Sequence, residues 1–327
     1  AGIVLVAFNL RPTLASVGPL VGEIRADTGL SNAALGLLTT LPLLAFAVVS
    51  NVTPRVTRTL GFGGALLAAL ALIAAGGGVR VLGGAPLLFG GTVLLGVGIA
   101  LGNVLLPALV KRDFAHRSGS MTSLYSSVMA LGASVAAGLS YPLSRMIGWR
   151  GVLALWAIPA VVAMMVWLPQ VKARPAREDG ADAGTTPRPR IALRRAPLAW
   201  KVAAFMGFQS LTFYVLLAWL PDLLQSRGMD AESAGWMLAL SQATGILGSA
   251  IVPVAAGRRD DQRFAVVAMG VMEGVALLGL MVGALAGWLI VWVSLIGFVL
   301  GGTFGLALLF LVVRSGDTDT ATRLSGM

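Results

Sequence analysis

Phe8-Asn9-Leu10-Arg11-Pro12-Thr13 interrupts the first apolar stretch of the chain, which opens at Ile3-Val4-Leu5-Val6-Ala7 and resumes at Leu14-Ala15-Ser16-Val17. A guanidinium in the middle of a bilayer costs at least about 2.5–3.5 kcal/mol. Pro12 disturbs the same turn, because it has no N–H to give the Phe8 carbonyl and its ring disfavours a straight helix. A fixed positive charge, the Asn9 amide and a loosened backbone thus meet within one turn. Either Arg11 is structural, bonded to carbonyls of neighbouring helices, or it receives an anionic or strongly dipolar solute. The second reading is favoured.

Composition sets the frame for that choice. Hydrophobic residues make up 57% of the 327 and charged residues 12%, against about 25% charged in a soluble protein; mean hydropathy is +0.87. Apolar segments of about 20 residues, each long enough to cross a hydrocarbon core of about 30 Å, recur along the whole chain. This is the pattern of an all-α polytopic membrane protein, with the lipid bilayer as one partner. The absence of cysteine removes disulfides, thiolate metal sites and thiol catalysis, and the single His116 leaves no histidine cluster or Ser-His-Asp triad. The net charge of +10 sits in loops without the aromatic interleaving of a single-strand binder, so no nucleic acid is expected. No Walker loop or paired catalytic carboxylates occur. The reading is not an enzyme, with no cofactor and no metal.

Ten spans are predicted, at about 1–22, 32–52, 62–79, 86–110, 119–142, 149–169, 198–224, 233–256, 263–286 and 288–313. The charged, Pro- and Gly-containing interval 171–197 reads as a flexible linker. It separates a six-helix bundle, residues 1–170, from a second bundle, residues 198–327, in which four helices are present. The chain opens inside a span without an initiator Met, and both ends read as truncated. Arginine and lysine concentrate after spans two, four, six, eight and ten (Arg55, Arg58; Lys111, Arg112, Arg117; the linker; Arg258, Arg259, Arg263; Arg314, Arg323), while the opposite side holds only Arg25, Arg80, Arg145, Arg150 and Arg227. The positive-inside rule then places the linker in the cytoplasm and the chain in the cytoplasmic (inner) membrane.

An internal repeat links the two bundles. Gly29 and Gly36 precede span two as Gly228 and Gly235 precede span eight, and a proline follows each second glycine at the same distance, Pro54 and Pro253. Ser31 and Asp230 are placed as helix N-caps. Gly98 and Gly102 in span four match Gly301 and Gly305 in span ten, and Lys111 and Arg314 end those helices in register. Several matches in one order argue for two parallel bundles related by an axis along the membrane normal.

With these features the chain resembles the major facilitator superfamily. Asn9-Leu10-Arg11-Pro12, the run Gly98-Ile99-Ala100-Leu101-Gly102-Asn103-Val104-Leu105-Leu106-Pro107 continuing to Asp113, and Gly148-Trp149-Arg150-Gly151 resemble the cyanate permease and nitroimidazole transporter family within it. The resemblance implies a two-bundle transporter of twelve spans, two of them absent here. In Pro54-Arg55-Val56-Thr57-Arg58-Thr59-Leu60-Gly61, Arg58 stands where the superfamily's loop usually carries an acid.

Seven residues are candidates for binding the solute: Arg11, Asn9, Asn103, Tyr125, Gln209, Tyr214 and Gln242. Arg11 offers a planar donor fork that stays charged. Pro12 and Pro107 predict bends that free the Phe8 and Asn103 carbonyls towards a polar cavity. Tyr125 lies on a hydroxyl-rich face with Thr122, Ser123, Ser126 and Ser127, while Gln209, Tyr214 and Gln242 are assigned to the opposite wall, with Tyr214 and Trp219 as flat contacts. Glu273 reads as the one carboxylate deep in a span and is expected at the periphery, outside any coupling role. The whole predicts a monomeric secondary transporter that moves a small anionic or planar polar solute, cyanate- or nitroimidazole-like, by alternating access. An exporter of small heteroaromatic or drug-like compounds is the alternative within that class. A channel or non-transporting receptor is the alternative outside it.

Overall fold

A computed structural model describes residues 2–114, 118–173, 197–257, 262–282 and 288–314. Among these the regular elements are helices: α1 Gly2–Asn9, α2 Pro12–Ala15, α3 Val17–Thr28, α4 Asn32–Val79, α5 Ala85–Asp113, α6 Ser118–Leu155, α7 Ile158–Ala173, α8 Pro197–Gln225, α9 Ala231–Gly257, α10 Arg263–Val282 and α11 Leu289–Arg314. Helices are what a chain this apolar can form in lipid, where each backbone N–H and C=O must be paired within its own segment. Most of the linker, 174–196, lies outside the described residues, as do His116, Arg117, Arg258, Arg259 and Arg323, and the side chains of Lys111, Thr122, Ser123 and Arg314.

Among the described residues eight helices are long and apolar enough to cross a membrane, or nine when the bent pair Gly2–Ala15 and Val17–Thr28 is joined as one span. One stretch, Leu124–Pro169, has 46 residues, about 69 Å at 1.5 Å per residue and more than twice a hydrocarbon core. It reverses at Gly148, whose φ of 71° lies where only glycine is unstrained. Counted as two passes, it brings the total to ten, as the hydrophobic pattern predicts. Gly61, at φ 67° and ψ 170°, divides α4 in the same way. Here the structure corrects the boundaries. Arg55 and Arg58, expected in a loop, belong to the last two turns of a helix, and the reversal needs a single residue.

The repeat is visible atom by atom. Gly29 ends α3 at φ 67° and Gly228 follows α8 at φ 91°. The Ala34 N–H donates to Ser31 Oγ at 3.2 Å, and the Ser233 N–H donates to Asp230 Oδ1 at 2.8 Å, so both predicted N-caps are made. The glycine pairs of spans four and ten serve close helix packing: a Cβ on Gly102 would collide with Leu10 and one on Gly305 with Pro253.

The two halves meet at one end. Arg25 Nη2 lies 3.1 Å from Asp222 Oδ1, Ser134 Oγ donates to the Ala239 carbonyl at 2.8 Å, and a Cβ on Gly138 would stand 2.7 Å from Trp236. Arg25, Asp222 and Trp236 lie within about two helical turns of the α3–α4 and α8–α9 turns, and the Ser134–Ala239 contact lies a little deeper. Beyond Arg11 the pattern changes. α3 packs on α8 and α9 of the other half, whereas α1 packs on α5, α6 and α7 of its own. The halves are therefore joined at the turn end and part towards the linker end.

Candidate functional site

The site begins with a break that Pro12 imposes. Proline's ring crowds the residue before it out of helical geometry, and Arg11 takes φ −122°, ψ −39°. α1 stops at Asn9 and α2 restarts at Pro12, while the Leu10 N–H turns back to the Ala7 carbonyl at 3.2 Å. The Phe8 carbonyl lies against α6 rather than a cavity, where Gly132 leaves it room: a Cβ there would come within 3.1 Å. Pro107 behaves differently. α5 stays helical from Ala85 to Asp113 with Pro107 inside it, so the helix is broken at Pro12 but not at Pro107.

Released from helical register, the Arg11 guanidinium crosses to the other half. Its carbon stands 4.4 Å from the Phe213 ring centroid and 5.9 Å from that of Tyr214. The two rings meet edge to face, 5.2 Å apart at 85°, and Phe46 of α4 braces Tyr214 from 6.2 Å. Phe213 lies about 18 Å along α8 from its Gln225 end, near the middle of a core of about 30 Å. Arg11 is half-buried. Among the described residues no carboxylate, carbonyl or hydroxyl accepts from it. A cation–π contact recovers about 0.5–2 kcal/mol, less than the lower bound for placing the charge at this depth. Among the described residues its N–H edge meets no acceptor, and with Arg11 only half-buried that edge is open to water or to a solute.

A second arginine has its two terminal nitrogens met by the protein itself, although its buried Nε has no partner. Arg80, at the end of α4, is 2% exposed; its Nη1 and Nη2 donate to the Thr13 and Leu153 carbonyls, each at 3.2 Å. It bolts α2, α4 and α6 together. Arg150 pairs with Asp27 at 2.7 Å, and Arg227 donates to the Leu280 and Met281 carbonyls. Including Arg25, four of the five arginines assigned to the linker-distal side are thus tied to partners.

The other candidates divide. Tyr214 joins Arg11. Gln209 is buried one turn before Phe213 on the same face of α8, where its Oε1 accepts from the Ser210 hydroxyl at 3.3 Å. Asn9 is turned towards α7, donating to the Leu5 carbonyl at 2.7 Å and the Pro159 carbonyl at 3.2 Å. The Asn103 amide donates to the Ile99 carbonyl one turn back, at 3.0 Å. Tyr125 is buried in the hydrophobic core. Gln242 is buried on α9, three residues beyond the carbonyl that accepts Ser134. Sequence reasoning passed over Phe213, Phe46 and the Arg25–Asp222 pair. For Phe213 the signal was spacing: Phe208, Leu211 and Val215 form the exposed face of α8, which leaves Gln209 and Phe213 facing inward. Glu23 was missed as well. It lies in α3 beyond the expected end of span one and accepts from Ser144 Oγ at 2.6 Å.

Comparison with known proteins accords with this architecture. The chain is 39% identical over 328 residues to the uncharacterized transporter YycB of Bacillus subtilis (strain 168), covering 100% of this chain and 80% of the relative. It is 38% identical over 328 residues to the 2-nitroimidazole transporter of Escherichia coli (strain K12), covering 100% and 82%. It is 30% identical over 329 residues to the cyanate transport protein CynX of the same organism, covering 98% and 83%. Among solved structures, the D-xylose-proton symporter superposes with a TM-score of 0.76 at 15% identity, covering 99% of this chain and 84% of that one; this likeness is one of fold. A family model of the Major Facilitator Superfamily matches residues 3–327, and the chain belongs to that superfamily of membrane transporters.

Proposed function

We propose that the chain is a monomeric secondary transporter that moves a small anionic or planar polar solute across the cytoplasmic membrane by alternating access. One observation carries the reading: Arg11 lies half-buried near mid-membrane, where the two halves meet, with aromatic contacts and no acceptor among the described residues. An acceptor pair on a solute, such as a carboxylate or a nitro group, matches the guanidinium fork. The E. coli relatives' names, a 2-nitroimidazole transporter and a cyanate transport protein, fall within that chemistry. Closure at the turn end and separation towards the linker end support a carrier that takes solute from one side at a time. The arginine distribution supports the linker side as cytoplasmic.

Reconstituted vesicles test this with 2-nitroimidazole and cyanate as probes. Saturable uptake accelerated by the same solute on the far side is expected of a carrier; uptake without that acceleration would indicate a channel. Arg11→Gln should weaken binding by about 2–4 kcal/mol, roughly thirty- to thousandfold, and Arg11→Lys should recover part of it. Unchanged affinity in folded Arg11→Gln protein would make Arg11 structural and overturn the proposal.

A further inference from the structure

We infer that Phe213 makes the Arg11 site selective for flat solutes, so that an aromatic acid is preferred to a saturated-ring acid of the same charge and similar size. This rests on the reading that Arg11 receives the solute and specifies the shape it accepts. The guanidinium carbon lies over the Phe213 ring, 4.4 Å from its centroid. What remains for a solute is the side of the guanidinium turned away from that ring, including its free N–H groups. A carboxylate bonded at the edge shares the guanidinium plane. An aromatic ring conjugated to that carboxylate stays in the same plane, whereas a puckered ring stands out of it on both sides.

The neighbouring wall sharpens this difference. Tyr214 stands at 85° to Phe213 and is braced by Phe46 from the other half of the molecule. The cation therefore lies in a right-angled aromatic corner supported by both bundles. A flat body can lie along one ring and present its edge to the other, the two geometries aromatic pairs favour. A saturated ring makes neither contact. Gln209, one turn along the same face of α8 and buried, is placed to meet a second polar group on the solute.

Benzoate and cyclohexanecarboxylate are the probes, with affinity measured by calorimetry on the purified protein in detergent. The wild type should bind benzoate about three- to tenfold more tightly, the size of a single aromatic contact. Phe213→Leu should bring the two affinities together, and Phe213→Trp, which keeps a ring beside Arg11, should retain the preference. A preference surviving in Phe213→Leu, or no binding of either acid by the wild type, overturns the inference. Arg11→Gln distinguishes the levels. Loss of both acids there, with the preference intact in Phe213→Leu, removes the role of Phe213 and leaves the solute at Arg11. Unchanged binding in Arg11→Gln removes both.

Discussion

Neutralising Asp222 should loosen the closed end of the molecule. Arg25 Nη2 and Asp222 Oδ1 are 3.1 Å apart, with side chains 38% and 30% exposed. A pair this wet is worth about 0.2–1 kcal/mol, which corresponds to a factor of roughly 1.5 to 5 between joined and parted states. Asp222→Asn keeps an oxygen that can accept from Arg25, so the charge is what is lost. The chain contains no cysteine, and Gln225→Cys therefore supplies a single thiol opposite Gly22, whose would-be Cβ lies 3.8 Å from the Gln225 amide oxygen. A membrane-impermeant maleimide added on the turn side should modify that thiol about two- to fivefold faster when Asp222 is Asn. Salt at 1 M, where the Debye length is about 3 Å, should speed the reaction in the wild-type background and add little to the variant. The swap Arg25→Asp with Asp222→Arg should restore the original rate. Equal rates in all of these proteins would show that close packing closes this end without help from the ion pair: a Cβ on Gly18 would stand 2.7 Å from the Leu217 carbonyl oxygen, one on Gly138 2.7 Å from Trp236 and one on Gly235 2.9 Å from the Ala137 carbonyl oxygen.

Arg80→Lys should keep the buried charge but lose the fork that serves two carbonyls at once. The expected loss is about 1–2 kcal/mol of stability, seen as a lower thermal midpoint with solute affinity of the folded protein unchanged. Glu273→Gln should leave transport and its dependence on an imposed pH gradient nearly intact in reconstituted vesicles, because Glu273 lies on α10, which packs on α11 of its own half. Retained counterflow with lost gradient-driven accumulation would instead make Glu273 the proton site.

What could be read from the sequence was what lipid and local backbone rules decide. Hydrophobic runs become helices because nothing else satisfies the backbone in hydrocarbon, and the caps at Ser31 and Asp230 depend on atoms three residues away. The reversals at Gly61 and Gly148 fall inside the predicted gaps between spans, but that a single glycine makes each turn, with helix continuing up to it, was not legible. Asn9 shows the same division within a single side chain. Its bond to Leu5 is helical and local, but its bond to Pro159 spans 150 positions and follows from how α1 packs on α7. Phe213 was hidden for that reason as well. Tyr214 stood out by its hydroxyl, while the ring that takes the guanidinium is selected by the docking of α8 against α3.

Arg11 and Arg80 together separate structure from function more clearly than either does alone. Both carry a guanidinium, in helices of the same half, and both belong to the charge pattern from which the fold was read. Arg80 follows a helix end and reaches two carbonyls that hold three helices in place. Both of its terminal nitrogens are occupied by these carbonyls and it is 2% exposed, so its fork is not presented to a ligand. Arg11 follows a proline-made break in mid-span and reaches the faces of rings. Ring faces stabilise a cation without neutralising it, so the charge is held in position while its donors stay open. A structural role favours the first arrangement, in which the protein itself occupies the terminal donors. The second suits donors that are to be met by something that arrives and leaves, and a carrier's solute does both in every cycle.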